Sequence, residues 1–254
     1  MRENNPLKPL SNEDTWSRIT EVTLISEAMR RFYRQACLRA DEMRIVVLAV
    51  PNSDRLELRS FFGKVVNRDS RSRYVRITNK HSLPTPFDLE NDDATSLLIL
   101  DGESLPENLQ WTIVQNRLNF PVIMLVLKSA EEADSARRRW SGIFREACAA
   151  ETLVWPAWQK RQSDHAGVLY QILRLIRLPQ NTKSLKLSHQ ARDFLLAADY
   201  DGASHLAWTV NQAVRRYLAM HATSGRLEIQ HLVPRRNLRI LSSHRAIPAL
   251  AVVK

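Results

Sequence analysis

Short apolar runs alternate with amphipathic stretches along the first 155 residues of the chain. The apolar runs predict buried β-strands, because they are short, continuous and rich in β-branched residues. They read IVVLAV (45–50), YVRIT (74–78), SLLIL (96–100), VIMLVL (122–127) and TLVW (152–155). Stretches with helical periodicity separate most of these runs, at 55–66, 106–118 and 131–149. The alternation predicts an α/β fold with a parallel five-stranded sheet flanked by helices.

Helical patterns also lie on both sides of the strand-containing region. Apolar residues recur at helical spacing within residues 15–40, before the first strand. After Trp155 no further strand is expected, and the pattern predicts three helices, near 166–177, 189–198 and 203–221. A small α-helical domain therefore follows the α/β domain. The predicted parts of the chain are a flexible N-terminus (1–14), the α/β domain (15–160), the α-helical domain (161–234) and a basic tail (235–254).

The composition is that of an ordinary soluble globular protein, with 44% hydrophobic and 25% charged residues among 254. The two cysteines, Cys37 and Cys148, lack a CxxC spacing, so neither a disulfide nor a zinc site is indicated. The seven histidines are scattered, and no metal site or cofactor is predicted. The polar N-terminus does not have the apolar core of a signal peptide, and no run reaches the roughly 20 apolar residues of a membrane span. We expect a cytoplasmic protein without membrane contact.

The formal net charge of +10 leaves two interpretations open, an acidic partner such as nucleic acid or a solvated basic surface. In the densest basic cluster, residues 137–139, a solvated helix face with Trp140 packed inward is the favoured interpretation. Nucleic-acid contact is more credible in the tail, because a tail does not need to pack. The candidate residues there are Arg235, Arg236, Arg239 and Arg245.

Several longer stretches, in this order and spacing, resemble one family. They are LISEAMRRFYRQA (24–36), VVLAVPNSDRLELRSFF (46–62), SLLILDGESLPENLQWTIVQNRL (96–118), IFREACAAETLVWPAWQKRQSDH (143–165), LSHQARDFLLAADYDGASHLAWTVNQAVRRYLAM (187–220) and LEIQHLVP (227–234). Together they resemble the central AAA+ domain of sigma-54-dependent transcription activators, the bacterial enhancer-binding proteins. The resemblance covers residues 22–234 and implies an AAA+ α/β domain followed by a helical lid.

The chain departs from that family where the family binds the phosphates of ATP. A Walker A loop uses glycines whose N–H groups wrap the phosphates, a lysine for the β- and γ-phosphates and a Ser or Thr for magnesium. Here the loop contains Asn52 and Ser53, Leu56 occupies the lysine position, and Asp54 would repel phosphate. The resemblance therefore implies a degenerate Walker A loop, which we expect to contribute little to stability.

The Walker B and lid positions depart as well. The family has two consecutive acidic residues, whereas here Asp101 is followed by Gly102 and only then by Glu103. His205 lies at or near the position of the lid arginine, while Arg145 could correspond to the arginine that acts on a neighbouring subunit.

Two further elements of the family are missing. Residues 79–95 are too short for the loop that contacts sigma-54, and the segment after Pro234 is too short for a helix-turn-helix domain. We expect a catalytically inactive AAA+-like regulator that is not an enzyme, has no catalytic residues and acts through contacts with an AAA+ activator or with itself. The alternatives are a basic nucleic-acid-binding module and a nucleotide-binding switch without hydrolysis.

Overall fold

We describe the protein from a computed structural model, which describes residues 22–66, 73–77, 95–149, 151–175, 177–178, 181–184, 186–220 and 225–232. The chain divides into two compact units. The first comprises Met1–Gln171 together with Tyr200–Ser204, and the second comprises Ile172–Asp199 and His205–Lys254. The expected flexible N-terminus, almost all of the shortened loop at 79–95 and the basic tail lie outside the described residues. The predicted domain boundary at 160 and 161 stays a prediction.

The first unit contains a parallel five-stranded sheet, which confirms the predicted α/β fold. Its strands are β1 (Ile45–Ala49), β2 (Arg73–Ile77), β3 (Thr95–Ile99), β4 (Ile123–Leu127) and β5 (Leu153–Val154). The spatial order is β2-β3-β4-β1-β5, and all neighbouring strands are parallel. All five residues of β1 and of β4 are buried, because both faces of the sheet are covered.

Helices cover both faces of the sheet, and successive residues of β1 point to opposite faces. On one side, Val46 and Leu48 belong to a core with α1 (Glu27–Met43) and α2 (Leu58–Val66). On the other side, Ile45 and Val47 belong to a core with three helices. These are α3 (Glu107–Asn116), α4 (Ala130–Arg139) and α5 (Gly142–Ala147).

The single helix predicted over 131–149 is two helices, α4 and α5. The break falls at Trp140, whose extended backbone ends α4 and whose ring packs inward, as the sequence predicted. Ser141 then caps α5, because its hydroxyl accepts a hydrogen bond from the Phe144 amide. The sequence predicted a single helix because the helical spacing of apolar residues continues through the break.

The remaining helices are α6 (Gln162–Leu175), α7 (His189–Ala197), α8 (Ala203–Ala219) and α9 (Ile229–Leu232). The expectation that no strand follows Trp155 is wrong. Strands β6 (Arg177–Leu178) and β7 (Asn181–Ser184) pair antiparallel, and β8 (Lys186–Leu187) and β9 (Arg226–Leu227) pair parallel. Strands of two to four residues are too short to show an alternating pattern. Within the described part of the chain, no helix is long and apolar enough to cross a membrane.

Candidate functional site

The segment after β1, where the resemblance places a Walker A loop, is a helical turn. Pro51 leads into a 3-10 helix, Asn52–Glu57, which continues directly into α2. Asn52 is exposed, Ser53 is half-buried and Leu56 is buried. The expectation that this loop contributes little to stability stays a prediction. The loop's two acidic side chains are buried and contact a cation.

That cation is Arg161, which lies among three carboxylates. Its Nη2 donates to Oε2 of Glu57 at 2.6 Å, and its Nε donates to Oδ2 of Asp164 at 3.3 Å. Its Nη1 lies 3.8 Å from Oδ1 of Asp54. All four residues are at most 1% exposed. We call Arg161, Asp54, Glu57 and Asp164 the Arg161 cluster. Charges are tolerated in a protein interior when they are buried next to opposite charges.

The carboxylates of the Arg161 cluster also accept backbone hydrogen bonds. Asp164 Oδ1 accepts from the amides of Ile25 and Ser26, both at 2.7 Å, and its Oδ2 accepts from the Ser26 hydroxyl at 2.6 Å. Glu57 Oε1 accepts from the amide of Thr23 at 3.2 Å. The cluster therefore fixes the residues that lead into α1, where Ser26 is the N-cap.

The cluster has one cation for three acids, and its electrostatics reflect this imbalance. Burial raises the pKa of Asp54 to about 6, and the charge of Arg161 offsets that rise only in part. Burial raises the pKa of Glu57 as well. The Arg161 guanidinium lies 5.5 Å from the ring centroids of both Trp155 and Trp158, so two cation–π contacts add to its stabilisation.

A second pair of ionic contacts lies at the carboxyl ends of β3 and β4. Asp101, which has a left-handed backbone (φ 54°), accepts a hydrogen bond from Arg55 Nη1 at 2.9 Å. Glu103 is buried, and its Oε1 lies 3.1 Å from Nζ of Lys128. The hydrogen bond to Glu103 raises the pKa of Lys128. Both acidic residues at the Walker B position are thus paired with cations of this chain.

The structure brings only some of the predicted site residues together. Arg55 joins Asp101 to the 3-10 helix Asn52–Glu57. His205 belongs to the second unit, and the centre of its ring lies 6.3 Å from that of Trp208. Arg145 is exposed on α5. The four tail arginines lie outside the described residues. No group of three or more ligand side chains able to hold a metal ion occurs among the described residues.

Glu57, Arg161 and Asp164 were not predicted from the sequence, although a signal for one of them was present. Glu57 stands between Leu56 and Leu58 on the buried side of a helical turn. A charged residue at a buried position is almost always paired, so Glu57 by itself predicts a cation partner. Nothing local identifies that partner, because Arg161 lies 104 residues further along the chain.

Gly202 is held tightly against the same 3-10 helix. A Cβ atom at this position would lie 2.7 Å from the carbonyl oxygen of Ser53 and 2.9 Å from Oδ1 of Asp54. We expect Gly202→Ala to lower the free energy of unfolding by roughly 1–3 kcal/mol, because the contacted backbone cannot rotate away. Urea denaturation followed by circular dichroism measures this. Gly142→Ala is the matched control, since a Cβ there meets no atom within 4 Å; equal denaturation midpoints for the two variants would contradict the expectation.

The sheet order and the flanking helices define an α/β protein with a parallel five-stranded sheet. No protein-family model matches the sequence, and no curated protein matches it. Solved structures do match. NtrX from Brucella abortus in complex with ADP has 14% identity and a TM-score of 0.58, covering 78% of this chain and 52% of that chain. The same protein in complex with ATP has 14% identity and a TM-score of 0.57, covering 89% and 59%.

A third match is the RuvB Holliday junction branch migration motor of Thermotoga maritima. It has 9% identity and a TM-score of 0.57, covering 89% of this chain and 73% of that chain. The present chain spans only about half the length of the NtrX structures that it matches, 52% and 59%. At these identities the likeness shows the fold alone, which is the AAA+ fold that the sequence resemblance implied.

The expectation that the protein is not an enzyme is contradicted by these neighbours. NtrX was solved in complex with ADP and with ATP, and RuvB is a Holliday junction branch migration motor. The resemblance concerns residue types at aligned positions, and it does not include cations at other positions. Arg55, beside Leu56, and Lys128, after β4, both lie at the carboxyl edge of the sheet.

Proposed function

We propose that this chain is a cytoplasmic regulatory protein, related to the AAA+ domain of sigma-54 activators, that acts through protein–protein contacts in transcription regulation or complex assembly. The observation that carries the proposal is an exposed apolar surface on α3 and α5, which we call the α3–α5 surface. Trp111 on α3 is 48% exposed and Ile143 on α5 is 47% exposed. The proposal concerns partner binding and is independent of whether ATP is turned over.

The two exposed side chains lie on neighbouring elements. Gln110, next to Trp111, is buried, and its Oε1 accepts a hydrogen bond from the Ser141 amide at 2.8 Å. Ser141 is the N-cap of α5, so Ile143 stands in the first turn of the helix that Gln110 holds. The exposed Arg145 follows in the same short helix. Tryptophan and arginine are the residues most enriched at the centres of protein interfaces, which supports a contact made here.

The resemblance to sigma-54 activators supports the kind of partner. Helix α3 and the residues directly before it carry the Leu105-Pro106 and Leu109-Gln110 pattern on which that resemblance partly rests. We therefore propose that the partner is an AAA+ protein, either an activator or a second copy of this chain. A half-exposed tryptophan on α3 and a half-exposed isoleucine on α5 favour association, because burying them removes apolar surface from solvent.

Sedimentation velocity of the chain alone, and mixed with NtrX from Brucella abortus, tests the proposal. We expect a concentration-dependent complex in at least one sample, and we expect Trp111→Asp to weaken it about tenfold or more. The control is Leu38→Asp, which changes an apolar residue of α1 that is 59% exposed. A monomer in both samples would reject association with these partners. Equal weakening by both variants would show that the α3–α5 surface is not the contact.

Nucleotide binding is the second candidate, and a specific observation favours it. Arg55 is held by Asp101 at the carboxyl edge of the sheet, while its Nε and Nη2 have no hydrogen-bond acceptor among the described residues. Both atoms are buried, and guanidinium donors without an acceptor in the protein are suited to phosphate oxygens. Calorimetric titration with ATP and ADP in the presence of Mg²⁺ tests this candidate. Micromolar binding that Arg55→Ala removes would support it, and the absence of heat at millimolar nucleotide would reject it.

A further inference from the structure

The net positive charge of this protein is carried entirely by the second unit. Its two ranges, Ile172–Asp199 and His205–Lys254, contain 13 Lys and Arg residues against three Asp and Glu residues, which gives +10. The first unit contains 24 residues of each sign and is neutral. A charge excess confined to one part of a chain attracts polyanions to that part. An acidic partner is therefore expected to bind the second unit.

Helix α8, the longest helix of the second unit, presents one side to solvent. Its buried residues recur at helical spacing along the opposite side. The solvent side carries four residues at spacings of three and four, which places them next to one another on the helix surface: Trp208, Asn211, Gln212 and Arg215. Trp208 is 54% exposed and Arg215 is exposed, while the two amide side chains are half-buried. We call these four residues the α8 surface.

The polar side chains of the α8 surface are available to a ligand. None of the three makes a hydrogen bond or an ion pair among the described residues. The next residue, Arg216, differs, because its Nη1 donates to the carbonyl oxygens of His231 at 3.3 Å and of Leu232 at 2.7 Å, at the end of α9. Of two consecutive arginines, Arg216 thus holds the fold together while Arg215 stands in water. Helix α8 has no acidic residue that would repel a phosphate.

We propose that the α8 surface binds single-stranded nucleic acid, with a base stacked on Trp208 and a phosphate bound by Arg215. The amides of Asn211 and Gln212 each donate and accept hydrogen bonds, which suits the edges of unpaired bases. In a duplex both faces of a base are covered by its neighbours, whereas an unpaired base can stack on an aromatic side chain. A half-exposed tryptophan beside a free arginine therefore favours a single strand over a duplex.

The dimensions of the α8 surface suit a short piece of strand. With a rise of about 1.5 Å per residue, Trp208 and Arg215 lie about 10 Å apart along the helix axis. Nucleotides stacked about 3.4 Å apart cover that distance in about three steps. This contact goes beyond the protein–protein role proposed above, because α3 and α5 belong to the first unit. It also differs from a contact made by the basic tail alone, since it requires the folded helix.

Fluorescence anisotropy of a labelled oligothymidylate of about 12 nucleotides, titrated with the full chain, tests the proposal. Trp208→Leu keeps an apolar side chain without a ring and is expected to weaken binding about fivefold or more, whereas Trp208→Tyr keeps a ring and is expected to stay within about twofold of wild type. Arg215→Ala is expected to lower the steepness of the salt dependence by about 0.7, the value for one phosphate contact. Arg138→Ala, an exposed arginine of α4, is the control and is expected to leave both quantities unchanged.

Several outcomes would overturn this assignment. If Trp208→Leu binds as tightly as wild type, the strand is held elsewhere, for example by the basic tail, and the α8 surface is not the site. If Trp208→Tyr is as weak as Trp208→Leu, the ring does not stack on a base. Tighter binding of the duplex formed with the complementary strand rejects the preference for a single strand, and no binding of either at low salt rejects nucleic acid as the partner. If circular dichroism shows that Trp208→Leu does not fold, Arg215→Ala against Arg138→Ala decides.

Discussion

Replacing Arg161 by leucine is expected to destabilise this protein more than any other single change in the first unit. The substitution leaves three buried carboxylates without their shared cation, and removal of one partner from a buried ion pair typically costs about 3–5 kcal/mol. It also removes the two cation–π contacts with Trp155 and Trp158. Urea denaturation at pH 7, followed by circular dichroism, measures the loss. A chain already unfolded without denaturant is within the expected range, since domains are stable by only about 5–15 kcal/mol.

The pH dependence separates this explanation from a simple loss of packing. Protonation of Asp54 and Glu57 removes the uncompensated charge. The difference in the free energy of unfolding between wild type and Arg161→Leu is therefore expected to become smaller as the pH falls from 7 to 5. Arg138→Leu is the matched control, because Arg138 is exposed on α4. If the loss in the free energy of unfolding is the same at both pH values, the guanidinium acts through its size and not through its charge.

Asp164→Ala is expected to have the second-largest effect. Asp164 is completely buried, and its carboxylate accepts the amides of Ile25 and Ser26, the hydroxyl of Ser26 and the Nε of Arg161. Alanine leaves these donors without an acceptor and adds a cavity, so we expect a loss of about 3–5 kcal/mol in the free energy of unfolding. The same urea titration measures it, with the exposed Asp134→Ala as control.

The position of Asp164 gives this variant a local signature as well. The residues that it fixes lead into α1, so the amides of Ile25 and Ser26 are expected to exchange with deuterium faster than those in the middle of α1. Uniform exchange along the whole helix would instead indicate global unfolding. Asp164→Asn keeps one acceptor oxygen for the two amides and is expected to restore part of the protection.

Several elements could be predicted because their cause is local. Strands β1, β3 and β4 are apolar runs whose burial on both faces leaves no alternating pattern, and the structure confirms them. The start of α7 also has a local cause, because the hydroxyl of Ser188 accepts the Ala191 amide. The absence of glycine from the segment after β1 also follows from the sequence alone.

The sequence by itself thus determined the α/β class, the five strands and most of the helices, since strand burial and helix amphipathicity are periodic properties of neighbouring residues. Only the tertiary structure decided the break at Trp140, the short pairings of β6 to β9 and the Arg161 cluster. The contact between Asp54 and Ala203 joins residues 149 positions apart. Whether a carboxylate is paired, desolvated or protonated depends on which charges converge in space, and no local pattern encodes that convergence.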